Sequence, residues 1–226
     1  MVENVSNVND KFLTDNEIVA QMLTFFSAGF ESTASTISNT ICELAHNKDV
    51  QQKVQQEVDD FFDNNQDLEL TEMYEQITKL PYLDAVVKEG LRKNPVVVRV
   101  ERCLNSDGYK LNGIELEKGT VDELPLQAVQ MNDKYWSEPE QFRPERFLPE
   151  NKHKIVPYSY LPFGDGPRNC VGMRYALLEV RVALAHIIRK FSFDLAKNTP
   201  KQFTYLRGTP LLQAVPYPVK FALRAH

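Results

Sequence analysis

Residues 136–170 carry six prolines, at 139, 144, 149, 157, 162 and 167, and show no sustained hydrophobic period. Each proline fixes φ and removes a backbone donor, so neither a helix nor a central strand can run through the segment. A connection of this length without its own secondary structure belongs to a functional loop, and something fixed has to organise it. The next segment is of the opposite kind. Met173, Ala176, Leu177, Val180, Ala183, Leu184, Ile187, Ile188 and Phe191 recur at helical spacing and predict one buried helix face over about 171–191. The chain therefore delivers a glycine-rich loop, PFGDGPRNCVGMR at 162–174, to the start of a long apolar helix.

Upstream of that loop the pattern is mostly helical. Thr14 and Glu17 have capping-box spacing and open a helix over about 14–46, with Ile18, Val19, Met22, Leu23, Phe25 and Phe26 at helical intervals. Its middle is weak, because Ala28 and Gly29 sit beside Ser27, Ser32, Thr33, Ser35 and Thr36. A second helix starts near Asn47 with Val50, Val54 and Val58 on one stripe, and a short one surrounds Thr71. After Pro81 a further amphipathic helix covers about 82–93 and stops at Asn94 and Pro95. From Val96 the pattern turns to β in VVVRVERC, and Tyr109 to Leu116 make a hairpin about Asn112-Gly113. A proline-punctuated β-like tail closes the chain. The expected class is mainly α with small β-sheets, an α+β fold without internal repeats.

Charge and cysteine usage exclude several functions. The net charge of −5 arises from 26 basic and 31 acidic residues with no basic block, so nucleic acid is not an expected partner. Cys42, Cys103 and Cys170 are odd in number and widely spaced, which argues for a reducing compartment over a disulfide framework. They also lack the short paired spacings of a zinc site, and only His46 lies near any of them. The opening MVENVSNVNDKF is polar and offers neither a signal start nor a membrane span, so the chain as written reads as soluble and cytoplasmic.

A free thiol can then carry chemistry. Taken alone, a single cysteine is more often a buried structural residue. Cys170, however, stands at the expected mouth of a helix, where unpaired N–H groups favour a thiolate, and Gly166 and Gly172 let the backbone approach a bulky planar ligand. Phe163, Gly166, Arg168, Cys170 and Gly172 together resemble the haem-binding signature of the cytochrome P-450 superfamily. The resemblance implies that Cys170 is the axial ligand of the iron of haem b (iron protoporphyrin IX), that Phe163 packs near the sulfur, and that Arg168 pairs with a haem propionate. A strongly donating axial sulfur favours heterolytic O–O cleavage.

Three further segments resemble the same family. Glu89 and Arg92, in KEGLR, would ordinarily be a solvated surface pair, but they resemble the family's Glu-x-x-Arg motif. Arg146, in FRPERF, resembles the arginine that completes that network and pins the loop under the haem. AGFEST at 28–33 resembles the oxygen-binding segment of a long central helix. There Ala28 and Gly29 would leave room for dioxygen, Glu31 with Ser32 and Thr33 would relay protons, and a local helix distortion would admit water. The hydroxyl position usually holds threonine and here holds Ser32. By the same resemblance Arg102 would be a second partner for a propionate, ahead of Arg99, and Val96, Val97 and Val98 would face substrate, although a short apolar run equally suits plain strand core.

From Leu13 onward the likeness covers almost the whole chain and is greatest to animal microsomal enzymes of broad drug and steroid specificity. It implies one partial cytochrome P-450 domain over 1–226, the C-terminal half of the fold, with 136–170 as the loop leading to the haem. It further implies monooxygenation of a lipophilic small molecule by O2, with electrons from NADPH through a separate reductase, on the cytosolic face of the endoplasmic reticulum membrane. The anchor and most of the substrate lid belong to an N-terminal half that this sequence does not contain. The contrasting reading is a non-catalytic truncated fragment or pseudoenzyme. One local departure concerns 117–133, where Asp122 falls in an expected strand and Gln130 and Met131 replace an expected histidine.

Overall fold

The computed structural model describes residues 12–199, 203–206 and 214–225. Part of the expected β-like tail and most of the polar N-terminal stretch lie outside these residues. The described residues form six α-helices, α1 (Asp15–His46), α2 (Lys48–Asn64), α3 (Leu70–Ile77), α4 (Pro81–Lys93), α5 (Leu126–Gln130) and α6 (Met173–Lys190), and all but α5 contribute to the main apolar core. Six short strands pair as three separate antiparallel two-stranded sheets: β1 (Val100–Cys103) with β4 (Val121–Leu124), β2 (Tyr109–Leu111) with β3 (Ile114–Leu116), and β5 (Phe191–Leu195) with β6 (Val219–Leu223). The molecule is α+β, with helices predominant.

Local sequence explains where these elements begin. Thr14 Oγ1 accepts from the Glu17 N–H at 3.3 Å while the Glu17 carboxylate accepts from the Thr14 N–H at 2.8 Å, a closed capping box. Helix α4 starts at Pro81 without a side-chain cap of its own. The Glu57 carboxylate of α2 supplies one from outside, accepting the N–H groups of Tyr82 and Leu83 at 2.8 and 2.7 Å. Burial nevertheless leaves the Glu57 carboxyl with a raised pKa. In the β2–β3 turn, Asn112 and Gly113 have φ of 49° and 84°, the left-handed pair that a two-residue hairpin requires.

The core is built where α1, α2, α4 and α6 cross. Leu44, Val54, Val58, Ile77, Val86, Leu184, Ile188 and Phe193 are fully buried there. Gln51 fastens the edge of the β5–β6 sheet to this layer: its Oε1 accepts from Phe193 N–H at 2.9 Å and its Nε2 donates to Phe193 O at 3.0 Å. A second cluster of Ala85, Trp136 and Phe147, with Tyr160 against it, lies between α4 and the long loop.

Helix α1 divides into two halves. From Thr33 onward it is embedded, whereas Met22, Leu23, Phe25, Phe26 and Phe30 all stand exposed, Phe26 at 72%. A contiguous apolar face of this kind is unusual on a monomer surface.

One expectation needs correction. The β pattern from Val96 does not start a strand there: Val96–Val98 are half-buried with an isolated β-bridge at Val97, and β1 begins at Val100. Asp122 falls in a strand, as expected, and that sheet has only two strands; it is exposed and pairs in register with Arg102. No cost of charge burial arises there.

Helices α1 and α4 approach closely at Gly90. A Cβ at Gly90 would lie 2.7 Å from Thr40 Oγ1, and that hydroxyl is buried and donates to Thr36 O at 2.7 Å. A short β-branched side chain cannot swing away. Gly90→Ala is therefore expected to destabilise by about 1–3 kcal/mol in urea unfolding. Adding Thr40→Ala should recover part of the loss.

Candidate functional site

Glu89 and Arg92, one turn apart on α4, are both wholly buried. Arg92 Nε and Nη2 donate to Glu89 Oε2 and Oε1 at 2.7 and 2.8 Å, a two-pronged ion pair. The remaining guanidinium protons reach outward to main-chain carbonyls: Nη1 to Gln130 O at 2.9 Å, Nη2 to Pro139 O at 2.7 Å and Gln141 O at 3.4 Å. The ring of Trp136 lies 5.3 Å from the guanidinium carbon. On the carboxylate side, the Arg143 N–H donates to Glu89 Oε1 at 2.9 Å. Arg146 Nε stands 3.4 Å from that same oxygen without hydrogen-bond alignment, and its Nη2 donates to Glu138 O at 2.9 Å. Burial lowers the Arg146 pKa, with Glu89 acting in the opposite sense.

The irregular loop is thus held by side chains. Gln130, fully buried, binds α4 and the start of the cysteine loop at once, with Nε2 3.1 Å from the carbonyls of Leu91 and Arg92 and Oε1 2.8 Å from Leu161 N. Trp136 Nε1 donates to Ser159 O at 3.3 Å. Sequence reasoning missed the roles of Gln130, Trp136 and the Arg143 N–H. The signal for the first was present as an unexpected amide; main-chain partners leave none.

The cysteine turn follows Leu161. Gly164 and Gly166 have φ of 70° and 77°, a backbone that L side chains rarely adopt. Asp165 Oδ1 accepts the Gly166 N–H at 2.8 Å, and Cys170 N–H closes the turn on Phe163 O at 2.9 Å. Phe163 is half-buried and packs against the main core, while Arg168, Cys170 and Val171 are exposed. Helix α6 begins at Met173 with Gly172 as its N-cap, so Cys170 precedes the helix and does not stand at its mouth. The Cys170 carbonyl receives the Met173 N–H at 3.4 Å. A Cβ at Gly29, Gly166 or Gly172 would meet nothing within 4 Å.

The 28–33 segment departs from one expectation. Helix α1 runs through it without a break. Ser32 Oγ donates back to Ala28 O at 2.5 Å, Thr36 Oγ1 donates to Ser32 O at 2.8 Å, and the helix absorbs both hydroxyls without opening. Thr33 Oγ1 differs, being buried without a hydrogen-bond partner. Glu31 is half-buried beside these hydroxyls.

Arg102 and Arg168 extend from different parts of the chain, and neither meets a carboxylate among the described residues; Arg102 Nη1 donates only to the neighbouring Glu101 O. Arg99, by contrast, is engaged by Glu101 and Glu123 at 2.8 and 3.4 Å. The structure brings Glu89, Arg92 and Arg146 into one cluster, and Phe163, Gly166 and Cys170 into one turn. Val96–Val98 join neither.

Comparison with known proteins gives a consistent result. The family model described as Cytochrome P450 matches residues 1–221. Cytochrome P450 3A11 of Mus musculus is 44% identical over 192 residues, covering 85% of this chain and 37% of the relative. Cytochrome P450 3A7 of Homo sapiens is 43% identical over 210 residues, covering 93% and 41%. Cytochrome P450 3A19 of Capra hircus aegagrus is 45% identical over 183 residues, covering 81% and 82%. The chain therefore spans about two fifths of the length of the first two relatives.

Two measurements check the site's physics. Glu89→Gln leaves a buried guanidinium without its counter-charge and is expected to cost about 3–5 kcal/mol in urea unfolding. Arg92→Lys should lose much of the same, since an ammonium lacks the planar fork. Burial pushes the Cys42 thiol up to about 12, with Glu43 adding to it, while Cys103 and Cys170 are exposed. Thiol titration of the native chain at mildly alkaline pH should count two reactive groups, and the third only after denaturation.

Proposed function

The chain belongs to the cytochrome P450 family, and from that premise we propose that it is the haem-carrying part of a haem-thiolate monooxygenase, with Cys170 Sγ as the iron ligand. Members of the family carry haem b and are oxidoreductases. The single observation that carries the reading is the exposed Cys170 thiol at the end of a closed turn. The residues present also fit the group. Gly29, Gly166 and Gly172 each border open space, and Arg102 and Arg168 keep guanidinium groups unpaired with acids, as two propionates require. Bound haem supplies a redox-active iron at which O2 is activated, and sulfur ligation favours O–O cleavage.

This chain's own residues then have distinct tasks. Glu89, Arg92 and Arg146 hold the loop that ends at Cys170, and Phe163 packs the turn onto the core. Glu31, Ser32 and Thr33 are the candidates for proton delivery from α1, where Ala28 and Gly29 keep side-chain bulk low. Thr33 is best placed to hold a water, because its buried hydroxyl has no protein partner. Val96, Val97 and Val98 are half-buried and lie outside the named strands, which suits contact with an apolar substrate. The proposed reaction takes a lipophilic small molecule and O2, with electrons from an NADPH-dependent reductase, on the cytosolic face of the endoplasmic reticulum. No helix of the described residues is long and apolar enough to cross a membrane.

The contrasting reading, a chain without catalysis, draws on the bare apolar half of α1. One experiment tests the sulfur–iron assignment on which the first reading depends. The purified chain is loaded with haemin, reduced and exposed to carbon monoxide. A far-red-shifted Soret band is expected, and Cys170→Ala should abolish it. A Cys170→Ala chain with the parental spectrum overturns the assignment.

A further inference from the structure

Gln130 ends α5 in a dry site, and every polar group of its side chain is used. A primary amide has two N–H donors and one carbonyl acceptor. Here the donors meet Leu91 O and Arg92 O at 3.1 Å each, and the acceptor takes the Leu161 N–H at 2.8 Å. The two carbonyls belong to the last turn of α4, where a helix leaves acceptors without internal partners. The main-chain carbonyl of Gln130 receives Arg92 Nη1 at 2.9 Å, so the residue is tied to the buried ion pair from both its ends. Beyond it, Leu161 immediately precedes Pro162 and the turn that Cys170 N–H closes on Phe163 O.

The chemistry of these partners selects an amide. A neutral imidazole offers one donor and one acceptor, and a charged one two donors, so a histidine would leave at least one of the three main-chain groups unpaired. Upstream of Leu161 the loop has a separate hold, because Trp136 Nε1 binds Ser159 O. Between Ser159 and the turn, Tyr160 packs against the Ala85 cluster, and the Gln130 contact to Leu161 is the hydrogen-bonded side-chain link to α4 among the described residues.

We propose that Gln130 is a positioning residue for Cys170. It transmits the orientation of α4, fixed by Glu89 and Arg92, to Leu161, and thereby sets where the Phe163–Cys170 turn presents its sulfur. The functional meaning rests on Cys170 being the haem ligand, but the mechanical claim is testable without haem.

The test is residue-resolved amide hydrogen exchange on the full chain without haem. In Gln130→Met, which keeps length and bulk but neither polar function, exchange at Leu161 and Cys170 should rise tenfold or more. Asn94, whose N–H binds Gly90 O at the end of α4, and Ser159, whose N–H binds Val156 O, should stay within threefold of the parent. Should Gln130→Met unfold, Gln130→Asn carries the test with the same expected pattern, since the shorter amide cannot span α4 and Leu161 together. Parental rates at Leu161 and Cys170, or a rise at Leu161 alone, overturn the proposal. With haemin and carbon monoxide, Gln130→Met should show less than half the parental far-red-shifted fraction, and an unchanged fraction also overturns it. A parent without that band, but with the local exchange pattern, supports the brace and removes only the haem reading.

Discussion

One buried ion pair organises the most irregular part of this chain. Placing Glu89 and Arg92 out of water is expensive, and their mutual attraction does not by itself make up the difference. The balance comes from the other partners. Arg92 donates to carbonyls of Gln130, Pro139 and Gln141, and Glu89 accepts a main-chain N–H from Arg143. These groups border or belong to a segment with little regular structure, where each would otherwise need water. The pair and the loop are therefore mutually dependent: the loop's backbone satisfies the charges, and the charges fix the loop.

That dependence explains what could be read in advance. Helices declare themselves through periodicity and local caps, as Thr14 with Glu17 and the proline at the start of α4 do. The Asn112-Gly113 hairpin is legible because only left-handed residues fit its turn. The ends of elements are less visible. The expected strand from Val96 shrinks to an isolated bridge at Val97 because three apolar β-branched residues state a preference but not the extent of pairing. The start of α6 at Met173 depends on how the Gly166–Cys170 backbone folds, which is a matter of main-chain hydrogen bonds.

The candidate site shows the same division. A cysteine among glycines and an arginine three residues after a glutamate are visible as residue types. The fact that both members of that pair are completely dry is not, since identical spacing on a surface helix would leave them wet. The hydroxyl-rich stretch of α1 is a further case. Its composition predicts a distorted turn, but serine and threonine donate back to carbonyls four residues earlier, and the helix runs on.

Gln51 has a consequence beyond packing. The free edge of a short strand normally offers alternating N–H and C=O groups to any extended chain that passes, the geometry by which proteins polymerise. At Phe193 both groups are already taken by one glutamine amide acting as a counterfeit strand residue. An intruding peptide would have to expel a side chain rooted in the core, and with it Lys48, whose ammonium binds the Phe193 carbonyl and the Asp194 carboxylate, so the edge is guarded by an amide and an ion pair together.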